Sequence, residues 1–315
     1  MKKVLLATSA LFLTAGVASA EITFSGKAEA GVVSTKSGSK AGVADSANTK
    51  SKVYSGYDFN VAGTATTDNG MSLSMGFDMG AGEMADIADE ELDTQGATIA
   101  TSAVTISYNG LTLGLGDNKF DDLYDDTQNG DVSVSGAIGG LTVAIVADAD
   151  ADTAAVAAVA HSASAPASAA KAAEWNGTSY NVGYIIGDVT LGMKGTQHND
   201  DGDAASVISA GYTMGDVTIT LSRDDKGKAK DVNKVAVSYS AGGVTLSGSA
   251  TDAKVAGKKE WDASVAYTAG AVTIKAETDE SDSWAADVAY DLGGATAFAM
   301  TNKEGVAIAG VSFAF

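Results

Sequence analysis

Residues 71–79 read MSLSMGFDM. Met71, Leu73, Met75, Phe77 and Met79 fall on one face, and Ser72, Ser74, Gly76 and Asp78 on the other. A strict period of two over nine residues predicts a strand with one apolar face and one small or polar face. The pattern recurs at 22–32, where Ile22, Phe24, Ala28, Ala30 and Val32 oppose Thr23, Ser25, Lys27 and Glu29. It recurs again at 53–63, with Val53, Tyr57, Phe59 and Val61 against Tyr54, Asp58 and Asn60. A helix would put Phe24 and Lys27 on one stripe, three residues apart, so the helical reading fails.

The strands come in hairpins, and the hairpins repeat. ISYNGLTLGLG (106–116), VGYIIGDVTLGMK (182–194), AGYTMGDVTITLS (210–222), VSYSAGGVTLSGS (237–249), VAYTAGAVTIKAE (265–277) and VAYDLGGATAFAM (288–300) align at their turns. Each places a tyrosine before a glycine-containing turn, and glycine supplies the positive φ that tight hairpins require. Two further turns lie at Thr67-Asp68-Asn69-Gly70 and Ile138-Gly139-Gly140. The other connections are longer and acidic: 35–51, 80–96, 118–130, 148–177, 196–204, 224–231, 252–260 and 279–283. Short turns at one end and long loops at the other predict an antiparallel up-and-down meander. A first strand, eight hairpins and a last strand at 305–315 give 18 strands. The second arm of 284–301 alternates poorly, and dropping that hairpin would give 16. An open meander of this length would leave two unprotected edges; closing it into a barrel removes them.

Composition limits the alternatives. Lys2 and Lys3, the apolar run Val4 to Val17 and Ala18-Ser19-Ala20 predict a signal peptide over 1–20, leaving one domain over 21–315. Of 20 basic and 40 acidic residues, the two lysines go with the signal, so the mature balance is 18 against 40, or −22. That charge argues against nucleic acid, which is bound through Lys and Arg. The chain has no cysteine and two histidines, which removes thiolate sites and all but removes Ser-His-Asp chemistry. No catalytic constellation is evident. His161 and His198 fall in predicted loops without partners at ligand spacing, and Gly114-Leu115-Gly116 is only a fragment of a nucleotide fingerprint.

The two strand faces indicate their surroundings. The polar face carries scattered charge, including Lys27, Glu29, Asp58, Asp78, Lys194, Lys234, Asp262, Lys275, Glu277 and Asp287. Such charge suits a wet lumen, not a dry core. Tyr108, Tyr184, Tyr212, Tyr239, Tyr267 and Tyr290 sit at the turn end in phase with the apolar face, as an aromatic girdle at a membrane interface would. The predicted fold is therefore an all-β transmembrane barrel.

The opening Glu21-Ile22-Thr23-Phe24-Ser25-Gly26, the turns Thr66-Thr67-Asp68-Asn69-Gly70 and Asp291-Leu292-Gly293-Gly294, and the end Val311-Ser312-Phe313-Ala314-Phe315 carry a family resemblance. The chain resembles the general diffusion porins of Rhodobacter-type alphaproteobacteria. The resemblance implies a homotrimeric barrel in the outer membrane of a Gram-negative bacterium, narrowed by an inward third loop. It also implies that Phe313 and Phe315 form the signal read by the outer-membrane assembly machinery.

The third loop maps to about 117–130, where Asp122-Leu123-Tyr124 resembles the family's loop, although the segment is far shorter. Its Asp121, Asp122, Asp125 and Asp126 are the candidate acidic side of a pore constriction, facing Lys27, Lys194 and Lys275. The Ala-rich segment 151–177 is the other candidate, folded inward as a plug or lying outside. Acidic groups at Asp148, Asp150 and Asp152, at Asp200, Asp201 and Asp203, and at Asp86, Asp89, Glu90 and Glu91 suit calcium or plain solvated charge, and could hold divalent cations that bridge lipopolysaccharide. No metal site is assigned and no other cofactor is expected. The function expected is passive diffusion of small hydrophilic solutes and ions with a preference for cations. The alternative is a non-conducting exported structural protein of surface-layer or adhesin type.

Overall fold

The computed structural model describes residues 18–35, 50–96, 99–125, 128–149, 177–197, 204–227, 229–255 and 258–315. Among these residues there are strands and turns and no helix. In chain order the strands are β1 (Ala18–Thr35), β2 (Lys50–Thr67), β3 (Ser72–Asp86), β4 (Glu91–Thr94), β5 (Ala100–Thr101), β6 (Val104–Tyr108) and β7 (Leu111–Asp121). They continue with β8 (Asn129–Ile138), β9 (Leu141–Ala147), β10 (Thr178–Ile186), β11 (Val189–Thr196), β12 (Ala205–Met214), β13 (Val217–Asp225) and β14 (Val232–Ala241). The last are β15 (Val244–Val255), β16 (Lys258–Ala269), β17 (Val272–Asp279), β18 (Trp284–Asp291), β19 (Thr296–Asn302) and β20 (Ala307–Ala314).

Every neighbouring pair is antiparallel, and β1 pairs with both β2 and β20, so the sheet closes. β5 and β6 both pair with β3 and act as one interrupted wall strand, while β4 pairs only with the end of β3 and stands outside the wall. The wall therefore has 18 strands, as expected, and 16 is excluded. The hairpin of doubtful alternation forms fully: β18 and β19 pair from Asp291↔Thr296 to Ala285↔Asn302.

The turn chemistry explains the repeat. Asn109 and Gly110 both have positive φ, 50° and 80°, which matches the right-handed twist of the flanking strands in a two-residue turn. Gly187 has φ 58° and is followed by Asp188, the variant needing positive φ only at its first position. The six tyrosines of the repeat stand one to three residues before such turns, on the outward face. Tyr239 is paired with Val217 and Leu246, and Tyr267 with Val244 and Ile274, so the apolar phase carries around the wall.

At the seam between first and last strands, the Gly26 N–H donates to the Phe315 carbonyl at 2.9 Å and Phe315 N–H returns to Gly26 at 3.1 Å. Outside, the rings of Phe24 and Phe59 stack at 6.0 Å and those of Phe59 and Phe315 at 6.1 Å. Ala18, Ser19 and Ala20 continue β1 by pairing with Thr67, Thr66 and Ala65. The rest of the predicted signal, the segment 150–176 and His161 and His198 lie outside the described residues.

Candidate functional site

The lumen is lined by alternate residues of each strand, and two chain segments fold onto its inner wall. The first is the β3–β4 hairpin. β3 pairs with β2 as far as Gly56↔Gly82, where Gly82 adopts φ +83°. A side chain there would stand 2.1 Å from the Ser55 carbonyl, so only glycine lets the chain leave the wall at this point. Beyond it β3 pairs with β4 instead, from Glu83↔Thr94 to Asp86↔Glu91. The hairpin lies over β2, β1, β20 and β19. Ile87 and Leu92 pack on a cluster formed by Val33, Tyr54, Phe298, Met300, Val306 and Ile308. Val33 pairs with Ile308 and Ile308 with Met300, so these wall residues share one face, the inner one, opposite the exposed Val32 and Val53.

Polar contacts fix the same hairpin. Lys52 Nζ reaches both oxygens of Glu83 at 2.6 and 2.7 Å. The Glu29 side chain has no exposed surface. Its Oε1 accepts the Tyr54 hydroxyl at 2.9 Å and the Ala85 N–H at 2.8 Å. Its Oε2 makes no hydrogen bond of good geometry, and its compensation is the Lys27 ammonium 2.8 Å away. At the tip Asn302 donates to Glu90. Burial pushes the Glu90 carboxyl up, with Glu277 and Glu304 adding to the shift and the Asn302 bond and Lys275 opposing it.

The second inward segment follows β7. Phe120 folds its ring over Gly114, where an added side chain would stand 2.5 Å away. Asp122 accepts the N–H groups of Tyr124 at 2.7 Å and Asp125 at 3.3 Å, a local turn. Leu123 N–H donates to Ser179 Oγ at 3.0 Å, and the Tyr124 hydroxyl donates to Asp224 Oδ1 at 2.6 Å. Lys194 donates to the Tyr124 carbonyl and sits 5.8 Å from its ring centroid. Burial first, then the Asp224 bond and charge, push the Tyr124 phenol above its ordinary range. This segment thus covers the wall from β10 to β13.

The candidate constriction residues therefore divide between two places. Asp121, Asp122 and Asp125 lie at the β7–β8 connection with Lys194, while Asp126 lies outside the described residues. Lys27 and Lys275 belong to the region under the β3–β4 hairpin, paired with Glu29 at 2.8 Å and Glu277 at 2.5 Å. Sequence reading placed 80–96 among the outer loops and missed the inward hairpin. Its signal was the apolar set Met84, Ile87 and Leu92 inside an acidic stretch. The acidic group there serves the hairpin itself: Asp86 caps the N–H groups of Ala88 and Asp89 at 2.8 and 3.2 Å. Trp261 and Trp284 were also missed. They lie outward at the loop ends of β16 and β18, six residues from Tyr267 and Tyr290, and form a second aromatic level.

The inner face has two zones. Beside the short turns, hydroxyls pair across strands: Ser107 with Thr112 at 2.9 Å, Thr213 with Thr218 at 3.0 Å, Ser240 with Thr245 at 3.3 Å and Thr268 with Thr273 at 3.1 Å. Charge lies further toward the loops. Lys27, Lys52 and Lys275 are each matched to a carboxylate, whereas Asp58, Asp78, Asp262 and Asp287 have no ion-pair partner among the described residues.

An 18-stranded closed wall with a polar interior leaves an aqueous passage rather than a packed core. The model of the Gram-negative porin family matches residues 7–305. No curated protein matches the chain. Among similar solved structures, a variant of Rh. blastica porin is 17% identical, with 93% of this chain and 100% of that one covered at a TM-score of 0.52. A triple mutant of Rhodopseudomonas blastica porin gives the same figures. A structure titled for asymmetric conductivity of engineered proteins is 18% identical, covering 94% of this chain and 100% of its own at 0.52. Identities this low speak for the fold alone. The family match runs over nearly the whole length, and with it the closed wall and wet interior find their place: the chain belongs to the Gram-negative porin family.

Proposed function

We propose that the protein is an outer-membrane channel through which small hydrophilic solutes and ions diffuse passively, with a preference for cations. Family and fold favour a channel over the surface-layer alternative. The observation that carries the ion preference is the imbalance of the inner face. Its lysines at 27, 52 and 275 are neutralised at 2.5–2.8 Å by Glu29, Glu83 and Glu277, and Lys194 is held by a backbone carbonyl. Asp58, Asp78, Asp262 and Asp287 share that face without an ion pair among the described residues, although Asp58 and Asp287 stand across from Lys27 and Lys275, so with Lys234 added the carboxylates there still outnumber the lysines. A ring of fixed negative charge at close quarters raises the local cation concentration.

The tyrosine ring is proposed to mark the interface near the short turns, with Trp261 and Trp284 toward the opposite one. Phe313 and Phe315, outward at the seam, suit the assembly-signal role. A trimer fits the outer wall of β18–β20, where Ala286, Ala299, Ala307 and Ala309 would let a second copy approach closely. Export by a leader over 1–20 completes the reading. Swelling of proteoliposomes in sugars of graded size tests the channel: entry of monosaccharides with exclusion of larger oligosaccharides is expected. Liposomes that stay osmotically tight with correctly folded protein would contradict it.

A further inference from the structure

We infer that Glu29 is the positioning residue that sets the channel's size limit, by holding the β3–β4 hairpin against the inner wall. This rests on the channel reading above. The hairpin is the inward segment with both an apolar face and a charged latch. Ile87 and Leu92 lie on the lumen cluster, and Glu29 is the buried charge beneath them.

The wall is shaped to present that charge. Glycines at 31 and 310 leave room for the Tyr54 ring: a side chain at Gly31 would stand 2.8 Å from Tyr54 Cε1, and one at Gly310 2.6 Å from its hydroxyl oxygen. The ring lying there points its hydroxyl at Glu29 Oε1. The same oxygen takes the Ala85 N–H from the hairpin. A carboxylate accepting a backbone N–H away from water makes a charge-assisted bond, stronger than a neutral one. A side chain at Gly56 would stand 2.5 Å from the Glu83 carbonyl, so the hairpin backbone lies directly on the wall beside the latch. Undocking would put water in place of the Ala85 N–H and return the covered part of the lumen to solvent. The docked hairpin occupies space that would otherwise conduct, and its position decides which solutes pass.

Three variants of the full-length protein test this in planar bilayers and in sugar-swelling assays. One replaces residues 84–93 with a short Gly-Ser linker, removing the hairpin. Glu29→Gln removes the latch charge and keeps its shape. Ile87→Asp lies on the hairpin itself and leaves the wall intact, so it serves if the Glu29 variant fails to fold. Heat-modifiable migration identifies folded protein. The shortened channel is expected to show a larger conductance step and to admit larger sugars. E29Q and I87D should visit that larger step, with the docked-to-undocked ratio shifted about tenfold, as expected when a charge-assisted bond becomes a neutral one in E29Q or an apolar contact is lost in I87D. A shortened channel identical to wild type would overturn the hairpin's role, and folded E29Q and I87D channels that keep the wild-type step and size limit would overturn the latch. Absence of conductance in every form would fall instead on the channel reading.

Discussion

Gly26 shows how much a single residue decides at the seam. A side chain there would stand 2.3 Å from the Asp58 carbonyl and 2.9 Å from Phe315 Cζ. The last ring of the chain therefore closes the barrel over a position that must stay bare. Gly26→Val is expected to destabilise the closed barrel by about 1–3 kcal/mol, the usual cost of overpacking. The check is a lower temperature of conversion from the folded to the unfolded band on electrophoresis. Tyr124 carries the complementary case of a polar group. Its raised phenol means that the folded chain holds the proton more tightly than the unfolded one. The stability it contributes is complete below the ordinary tyrosine value of about 10 and is lost as pH rises through the higher folded value. Tyr124→Phe should loosen the segment at neutral pH by about 1–3 kcal/mol, because Asp224 loses a donor, and should remove one phenolate step from above the ordinary range in an absorbance titration. The tyrosines of the turn end could be read from sequence because six copies shared one phase. Trp261 and Trp284 could not, since two residues make no period.

At the scale of the element, legibility followed regularity. The wall strands were evident because alternation repeats and each turn has its glycine. The β3–β4 hairpin was not, and the β7–β8 connection was placed inward by family resemblance alone, because their sequence is irregular and their partners lie far along the chain: Glu29 meets Ala85, Glu90 meets Asn302 and Tyr124 meets Asp224. Asp86 read as calcium-suited or solvated charge and Asp122 as one side of a constriction, and the structure shows each capping its own turn. The β3–β4 hairpin also carries a pH dependence. Folding onto the wall raises the Glu90 carboxyl, so the docked hairpin binds the proton more tightly than the free one. Docking is therefore weakest where Glu90 is fully ionised and strengthens as pH falls through the raised folded value toward the free value of about 4.3. Glu277, Glu304 and Lys275 face the same carboxyl and set the size of the effect. The larger, undocked step should be visited less often on mild acidification in the wild type, and Glu90→Gln should flatten that response in the same range. An unchanged pH response in the folded variant would contradict it.

Across the whole molecule, closure is what turns 18 marginal strands into one stable object. A flat sheet of this length would expose its first and last edges, and here β1 and β20 satisfy each other from Lys27↔Ala314 to Ser34↔Ala307. The outward apolar residues suit lipid and the inward polar residues suit water, and the inner face builds a dry cluster under the β3–β4 hairpin. The net charge of −20 for the full chain was legible at once, but it did not say which charges face the passage. That depended on which side chains meet: the lysines at 27, 52 and 275 form ion pairs with Glu29, Glu83 and Glu277, whereas Asp58 and Asp287, which stand across from Lys27 and Lys275, form none, nor do Asp78 and Asp262 among the described residues. Replacing Asp58, Asp78, Asp262 and Asp287 together by Asn should therefore weaken cation preference without closing the channel. The central claim, an open passage whose fixed charge is negative, is tested most directly by the reversal potential of the wild-type protein in a planar bilayer under a potassium chloride gradient. The account predicts discrete conductance steps and a reversal potential displaced toward the potassium equilibrium potential. A reversal potential at or beyond zero on the chloride side, from the same steps, would contradict it.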